Sequence, residues 1–156
     1  MPGNLQTEIR QTKPFASLEE EAYLALQLTA DRISRRGAEF LKRHGLSPAQ
    51  YNTLRILRGA GSAGLPCSEV GERMIKRDPD ITRMLDRLER RGLVQRSREG
   101  KDRRVITTRI TPAGLELVNS LDRPIDQFQR KLLSGLSEIR LKSLVRLLDN
   151  IREAVE

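Results

Sequence analysis

One stretch of 37 residues, from Arg73 to Arg109, carries most of the net positive charge of this chain. It contains 13 Lys or Arg against 6 Asp or Glu, a net charge of +7, whereas the whole chain of 156 residues has 29 basic and 21 acidic residues and a net charge of +8. A basic composition alone does not distinguish DNA from RNA or acidic lipid. Concentrated on one segment, however, the charge predicts a single face that binds the phosphates of a nucleic acid duplex.

A helix is predicted inside this basic stretch, with Ile81, Leu85 and Leu88 facing the core. Arg83 then lies on another face near the N-terminal end, the end that a recognition helix points at the floor of the major groove. An arginine at that place can bond to O6 and N7 of guanine, a contact that discriminates between bases by about 1–3 kcal/mol. Thr82 can donate to a phosphate or contact a thymine methyl group.

An alternative is that the helix is simply a solvated surface, on which Arg83 and Arg87 pair with neighbouring carboxylates and contribute little. We favour DNA binding because the helix follows a tight turn and precedes a basic hairpin. The candidate DNA-binding residues of the turn and helix are Lys76, Arg77, Asp80, Thr82, Arg83 and Arg87.

The tip of the hairpin is the second group of candidate residues. Lys101, Arg103 and Arg104 lie on a short polar loop that could enter an adjacent minor groove, where the negative potential attracts arginine. Asp102 is unexpected beside phosphates. It either pairs with a neighbouring arginine and holds the loop in shape, or it is a simple turn-forming residue.

The elements that position these residues can be predicted from caps and apolar spacing. We predict a flexible N-terminal arm over residues 1–16, a dimerisation helix within 17–46, a DNA-binding lobe over 47–111 and C-terminal dimerisation helices over 112–156. Within the lobe, a short helix over 67–75 is followed by a helix that Asp78 caps, with Pro79 in its first turn. Two strands over 93–98 and 104–110 form the hairpin. Pro124 is expected to kink or divide the next helix.

This order of elements predicts a winged helix-turn-helix: a mainly α-helical fold with a small β-hairpin wing. The first helix and the last helix, with its stripe Leu141, Leu144, Leu148, Ile151 and Val155, exceed what one small lobe can cover. Apolar stripes of that length normally find a partner, so we expect a homodimer that joins through its N- and C-terminal helices.

Composition argues against several other kinds of protein. Aromatic residues make up 3% of the chain, too few for platforms that stack single-stranded bases. We see neither a membrane span nor an export signal, and therefore expect a cytoplasmic protein without a membrane partner. His44 and Cys67 are the sole histidine and cysteine and lie far apart in the chain. We therefore expect no enzyme activity, no cofactor and no metal site.

The residues resemble the MarR family of bacterial winged-helix transcription regulators. The stretch 80–94, DITRMLDRLERRGLV, resembles the family's recognition helix. It is followed by the family's wing signature: Asp102-x-Arg104, five residues, then the apolar Ile110, Thr111, two residues and Gly114. The order of elements agrees with the family over roughly residues 17–155.

The resemblance implies a homodimer whose helices over about 17–43 and 112–155 interlock, and whose two lobes bind a pseudo-palindromic operator. By similarity, Arg104 would enter the minor groove, Asp102 would brace it, and Arg83 would contact bases. Family members are commonly repressors, released from DNA by small, frequently aromatic or phenolic, ligands or by cysteine oxidation. Two features depart from the family: the strongly charged segment 76–80, and Cys67, which does not lie in the first helix.

We therefore predict a sequence-specific double-stranded DNA-binding transcription regulator, a repressor that acts as a homodimer and is released by a small-molecule effector. The main alternative is a non-specific or architectural DNA-binding protein that uses the same winged-helix surface. A second alternative is a protein-interaction adaptor, which would tolerate reversal of charge at Arg83 and Arg104.

Overall fold

A computed structural model describes residues 4–156 of the chain. In this part the elements are α1 (Leu5–Glu8), α2 (Leu18–Lys42), α3 (Pro48–Ala60), a 3₁₀ turn (Gly61–Ala63), β1 (Leu65–Pro66), α4 (Cys67–Arg73), α5 (Ile81–Arg90), β2 (Val94–Ser97), β3 (Thr107–Ile110), α6 (Pro112–Leu132) and α7 (Glu138–Val155). The predicted fold class, mainly helical with a small β wing in a winged helix-turn-helix, is confirmed.

Local sequence signals set several helix starts. The hydroxyl of Ser17 accepts a hydrogen bond from the N–H of Glu20 at 3.0 Å. Ser47 and Gln50 form a complete capping box at the start of α3, and Thr111 accepts from the N–H of Gly114 at 3.1 Å before α6. These contacts satisfy N–H groups that the first turn of a helix leaves unpaired.

The predicted start of the recognition helix is wrong by two residues. Asp80, not Asp78, is the N-cap of α5, and its carboxylate accepts from the N–H of Arg83 at 3.1 Å. Asp78 instead accepts from the N–H of Asp80 at 2.8 Å. Pro79 therefore belongs to the turn before the helix rather than to its first turn.

The short helix α4 ends at Arg73 instead of reaching residue 75. Met74 is extended, with φ −69° and ψ 139°, and its side chain is buried. The next N–H, that of Ile75, donates to the side-chain oxygen of Asn52 in α3 at 2.9 Å. A tertiary hydrogen bond thus replaces the helical one, which the local sequence could not reveal.

Pro124, which is expected to kink or divide the helix, does not divide it, because α6 runs unbroken from Pro112 to Leu132. A proline removes one hydrogen bond of the helix. Here the helix is held on both sides of that residue by core contacts of Val118, Leu121 and Ile125. Tertiary packing therefore outweighs the local preference.

The sheet has three antiparallel strands in the order β1-β3-β2. Strands β2 and β3 form the predicted hairpin, with Val94 opposite Ile110 and Ser97 opposite Thr107. They are shorter than the predicted ranges 93–98 and 104–110, so the wing loop is longer. Strand β1, which pairs Leu65 with Thr108, was not predicted. Its two residues are too few for a periodic signal.

The hydrophobic core lies inside the lobe and is formed by α3, α4, α5, α6 and the sheet. Its fully buried members include Leu54, Leu57, Leu85, Leu88 and Val118. Two glycines allow close approaches between its elements. A Cβ on Gly114 would lie 2.1 Å from the carbonyl oxygen of Leu93, and one on Gly71 would lie 2.4 Å from Cδ1 of Ile81.

Helices α2 and α7 lie largely outside this core. The buried residue of α2 is Leu41, and no described residue of α7 is buried. In the segment predicted as an arm, residues 1–3 lie outside the described part, and residues 4–16 contain the single turn α1. Glu8 at the end of α1 pairs with Arg32 of α2 at 2.6 Å. Within residues 4–156, no helix is both long and apolar enough to cross a membrane.

Candidate nucleic-acid interface

The turn between α4 and α5 sets the direction of the recognition helix. Its first residues are tied to α3 through Asn52, and its last residues are shaped by the carboxylates of Asp78 and Asp80. Lys76 and Arg77, between these ties, are exposed. The turn therefore presents two cations from a backbone that is fixed at both ends.

Helix α5 has one buried face and one exposed face. Met84, Leu85 and Leu88 are buried, and Ile81 is half-buried. Met84 was not predicted to face inward; its sulfur lies 3.5 Å from the hydroxyl of Thr53 in α3. The candidates on the opposite side, Thr82, Arg83 and Arg87, are all exposed.

Arg83 is held loosely. Its Nε lies 3.3 Å from the Asp80 carboxylate, and the two side chains are 72% and 51% exposed. A pair this open to water is worth little. Arg83 can therefore exchange Asp80 for a base or a phosphate at small cost, so the pairing that we considered as the alternative does not disable the side chain.

The other carboxylates of α5 are occupied by the wing. The Nη2 atom of Arg96 in β2 pairs with Asp86 and lies 3.2 Å from Glu89, and the backbone N–H of Arg96 donates to Glu89 at 2.7 Å. The side chain of Arg96 is only 17% exposed. Asp86 and Glu89 therefore do not neutralise Arg83 or Arg87. Of the three carboxylates that the alternative interpretation offered, Asp80, Asp86 and Glu89, only Asp80 forms such a pair among the described residues, with Arg83.

This contact also changes the acidity of Glu89. Hydrogen bonds from the side chain and the backbone of Arg96 lower the pKa of the Glu89 carboxyl below its ordinary value of 4.5. The carboxylate stays ionised at neutral pH, and the link between α5 and β2 therefore persists there.

The wing loop exposes its candidate residues. Lys101, Asp102, Arg103 and Arg104 are all exposed, and Gly100 before them has a φ of +94°. Asp102 accepts from the backbone N–H of Arg104 at 3.0 Å. Among the described residues no arginine side chain pairs with Asp102, so it shapes the turn in this structure.

The base of the wing is held by Arg109 of β3. Its guanidinium donates to the carbonyl oxygen of Ser62 at 2.9 Å, to the hydroxyl of Ser97 at 3.0 Å and to the carboxylate of Glu99 at 2.6 Å. Hydrogen bonds from Ser97 and Arg109 lower the pKa of Glu99. One more acidic residue of the basic stretch is thereby neutralised within the lobe.

The sequence did not identify the supporting residues Asn52, Arg96 and Arg109. A partial signal existed: Asp86 and Glu89 are three residues apart and share a helix face, and Arg96 follows on the next strand. Recognising the contact requires the packing of β2 against α5, which sequence spacing does not supply.

Neither cysteine nor histidine chemistry is assembled around these elements. The Cys67 sulfur lies 3.6 Å from the hydroxyl of Thr108, and the His44 ring lies 4.9 Å from that of Phe40. Among the described residues, no group of three or more His, Cys, Asp or Glu side chains could hold a metal ion.

The sequence matches the profile of the MarR family over residues 46–106. It is 36% identical over 102 residues to the transcriptional repressor MdtR of Bacillus subtilis, an alignment that covers 65% of this chain. The chain spans 64% of the length of MdtR.

Solved structures agree with this match. A MarR transcription factor from Planctomyces limnophilus is 40% identical, with a TM-score of 0.69 over 87% of this chain and 98% of that one. The S. aureus MepR–DNA complex has a TM-score of 0.74 over 85% of this chain and 96% of that one. At 22% identity, the second comparison concerns the fold alone.

Proposed function

This chain belongs to the MarR family of transcriptional regulators, and on that premise we propose that it is a repressor that binds a pseudo-palindromic operator as a homodimer. Regulators of this family bind double-stranded DNA and are not enzymes. For this chain we propose, in addition, sequence specificity, the residues that contact the operator, the dimer and its effector.

The observation that carries the proposal is the distribution of free and occupied charge on the lobe. The ten candidates, Lys76, Arg77, Asp80, Thr82, Arg83, Arg87, Lys101, Asp102, Arg103 and Arg104, are all exposed. Three of the nearby carboxylates, Asp86, Glu89 and Glu99, are bound by Arg96 and Arg109. A face of exposed cations whose neighbouring acids are internally neutralised suits a phosphate backbone.

The candidates fall into two roles. We assign major-groove contacts to Thr82 and Arg83 near the N-terminus of α5, and phosphate contacts to Lys76, Arg77 and Arg87 around them. Arg104, with Lys101 and Arg103, is assigned to the minor groove or its phosphates. Asp80 and Asp102 position the backbones that carry these side chains.

The homodimer is supported by apolar side chains that one chain leaves uncovered. Tyr23, Leu26 and Ile33 of α2 are 62%, 38% and 41% exposed, and Ile151 and Val155 of the α7 stripe are 44% and 77% exposed. A second copy with the same helices would cover both sets through one two-fold axis. The two lobes would then meet half-sites about one turn, ~10 bp, apart.

Effector release rests on the family resemblance and on an aromatic contact where α2 meets α6. The rings of Phe40 and Phe128 stack with centroids 4.7 Å apart, next to His44. A small phenolic ligand inserted near this junction would alter the angle between the helices and the lobe. Hydroxybenzoates titrated into the protein–operator complex should release the DNA; unchanged binding at millimolar concentration would argue against this class of effector.

The decisive experiment is a mobility shift with DNA from upstream of the protein's own gene, compared with scrambled DNA of equal length at two salt concentrations. The proposal expects tighter binding of the upstream DNA at both salts, with the difference preserved as salt rises. Equal affinity and equal salt dependence for the two DNAs would instead indicate the non-specific or architectural alternative.

A further inference from the structure

Two partly buried arginines hold the wing to the rest of the lobe. Arg96 joins β2 to Asp86 and Glu89 of the recognition helix. Arg109 joins β3 to Ser97 and Glu99 at the end of β2, and to the 3₁₀ turn through Ser62. Of these two links, only that of Arg96 connects the wing directly with α5.

From this contact we infer that Arg96 is a positioning residue, which fixes the wing relative to the recognition helix and so delivers Arg104 to DNA. The inference rests on the proposed function, because it presupposes that Arg83 and Arg104 contact the operator. It adds a residue that would act on DNA only through others: the Arg96 guanidinium is 17% exposed and is occupied by two carboxylates.

Helix α5 and the wing differ in how firmly they are anchored. Leu85 and Leu88 are fully buried, so the core holds α5 in place without help from Arg96. All residues of the wing loop from Arg98 to Val105 are exposed, so the hydrophobic core does not hold the loop in place. The direction of the wing loop therefore depends on the contacts that β2 and β3 make. Of the two arginine contacts, that of Arg96 links the wing to α5.

The chemistry of the Arg96 contact suits a residue that orients the wing better than one that stabilises the fold. The Nε atom of Arg96 is buried without a hydrogen-bond partner among the described residues, so the guanidinium is not fully satisfied. Partly buried ion pairs with an unpaired donor return little net stability, because desolvation offsets their attraction. A planar guanidinium shared between a helix side chain and a strand nevertheless fixes their relative geometry.

A double-mutant cycle on the full chain tests the inference. Operator affinity is measured for wild type and for Arg104→Ala and Arg83→Ala, each in the wild-type and the Arg96→Met background. If Arg96 positions the wing, Arg104→Ala should weaken binding about tenfold in wild type but less than about twofold in Arg96→Met. The penalty of Arg83→Ala should be the same in both backgrounds, which a general loss of folding would not produce.

The matched control is Arg58→Met. Arg58 is also half-buried, with a side chain 29% exposed, and it joins α3 to α6 through Asp122 at 2.9 Å. It lies outside the wing contacts. The Arg104→Ala penalty should remain about tenfold in this background, so removing any structural arginine is not sufficient.

A second variant separates positioning from charge, since Arg96→Met also leaves two carboxylates unpaired near DNA. In Asp86→Asn/Glu89→Gln the same link is broken while negative charge is removed. The loss of operator affinity caused by Arg104→Ala should be largely abolished in this background too. The same double variant provides the test if Arg96→Met fails to fold.

A loss of affinity on Arg104→Ala that persists in both broken-link backgrounds would overturn the inference while leaving the proposed function intact. If Arg104→Ala has no effect even in wild type, the wing assignment of the proposed function fails, and this inference fails with it.

Discussion

Arginines of the basic stretch differ in whether a carboxylate holds them. Arg96 and Arg109 are 17% and 30% exposed and lie against Asp86, Glu89 and Glu99. If either arginine bound a phosphate instead, its carboxylate partners would be left unpaired, which costs free energy. Arg83, at 72% exposure, gives up only a weak contact with Asp80. The formal charge of the stretch is therefore less informative than the identity of the arginines that remain available.

Arg83→Ala should weaken operator binding by about 1–3 kcal/mol, or roughly 5- to 150-fold, while binding of random DNA changes little. The reason is that a bidentate base contact is lost, whereas most phosphate contacts remain. Fluorescence anisotropy with operator and scrambled duplexes measures both affinities.

The control for this variant is Arg90→Ala, which removes the same charge from an exposed side chain in the last turn of α5. It should affect operator and random DNA alike. If Arg83→Ala left the ratio of operator to random affinity unchanged, the assignment of Arg83 to base contacts would be wrong.

Among the elements, the link between α5 and β2 should make stability depend on pH. Hydrogen bonds from Arg96 lower the pKa of Glu89 in the folded state. A group with a lowered folded pKa stabilises the protein above its unfolded pKa, and this contribution is lost as pH falls through the folded value. We expect the urea midpoint to fall between about pH 5 and pH 3, and Glu89→Gln to lose part of that dependence.

Glu116→Gln, on the exposed surface of α6, is the control and should retain the wild-type pH dependence. Equal pH profiles for Glu89→Gln and wild type would show that the Arg96 contact contributes nothing measurable to folding.

The start of α6 packs closely against the backbone at Leu93. In Gly114→Ala the new Cβ would lie 2.1 Å from the carbonyl oxygen of Leu93, a backbone atom that cannot turn aside. We expect a loss of about 1–3 kcal/mol of unfolding free energy, measured by chemical denaturation. Gly59→Ala in α3, whose Cβ would meet nothing within 4 Å, should be neutral or stabilising. Equal stability of the two variants would contradict the close approach.

The sequence predicts a helix boundary well where the contacts that set the boundary lie within one helical turn. The capping box of Ser47 and Gln50 and the Thr111 cap are satisfied within one turn of helix, and both were predictable. The N-cap at Asp80 is also made within one turn, but the sequence offers Asp78 and Asp80 two residues apart and the prediction takes the earlier one. The end of α4 and the continuity of α6 through Pro124 depend on contacts between elements. The same division holds for the interface. The exposed cations follow from sequence, but the contacts of Arg96 and Arg109 depend on how strands pack.

In the whole molecule, α2 and α7 differ from the lobe in what they bury. The lobe has a closed core, whereas no described residue of α7 is buried and Ile139, Val145, Leu147 and Val155 are each more than half exposed. Helices of this kind gain stability chiefly by packing an apolar face against a partner. Palindromic DNA would also be matched by the two-fold symmetry of such a pairing.

We therefore expect wild type at micromolar concentration to sediment at about twice the chain mass of 17.8 kDa. Ile151→Glu/Val155→Glu, which changes two exposed residues of the predicted stripe, should give the single-chain mass, because charges on both chains would have to be buried at the interface. Ile75→Gln, which changes an 86% exposed side chain on the lobe, should leave the mass unchanged. A monomeric variant should also bind two half-sites no better than one, since the lobes no longer act together. A wild-type chain that sediments alone while still preferring its operator would refute the dimer and leave the recognition helix as the source of specificity.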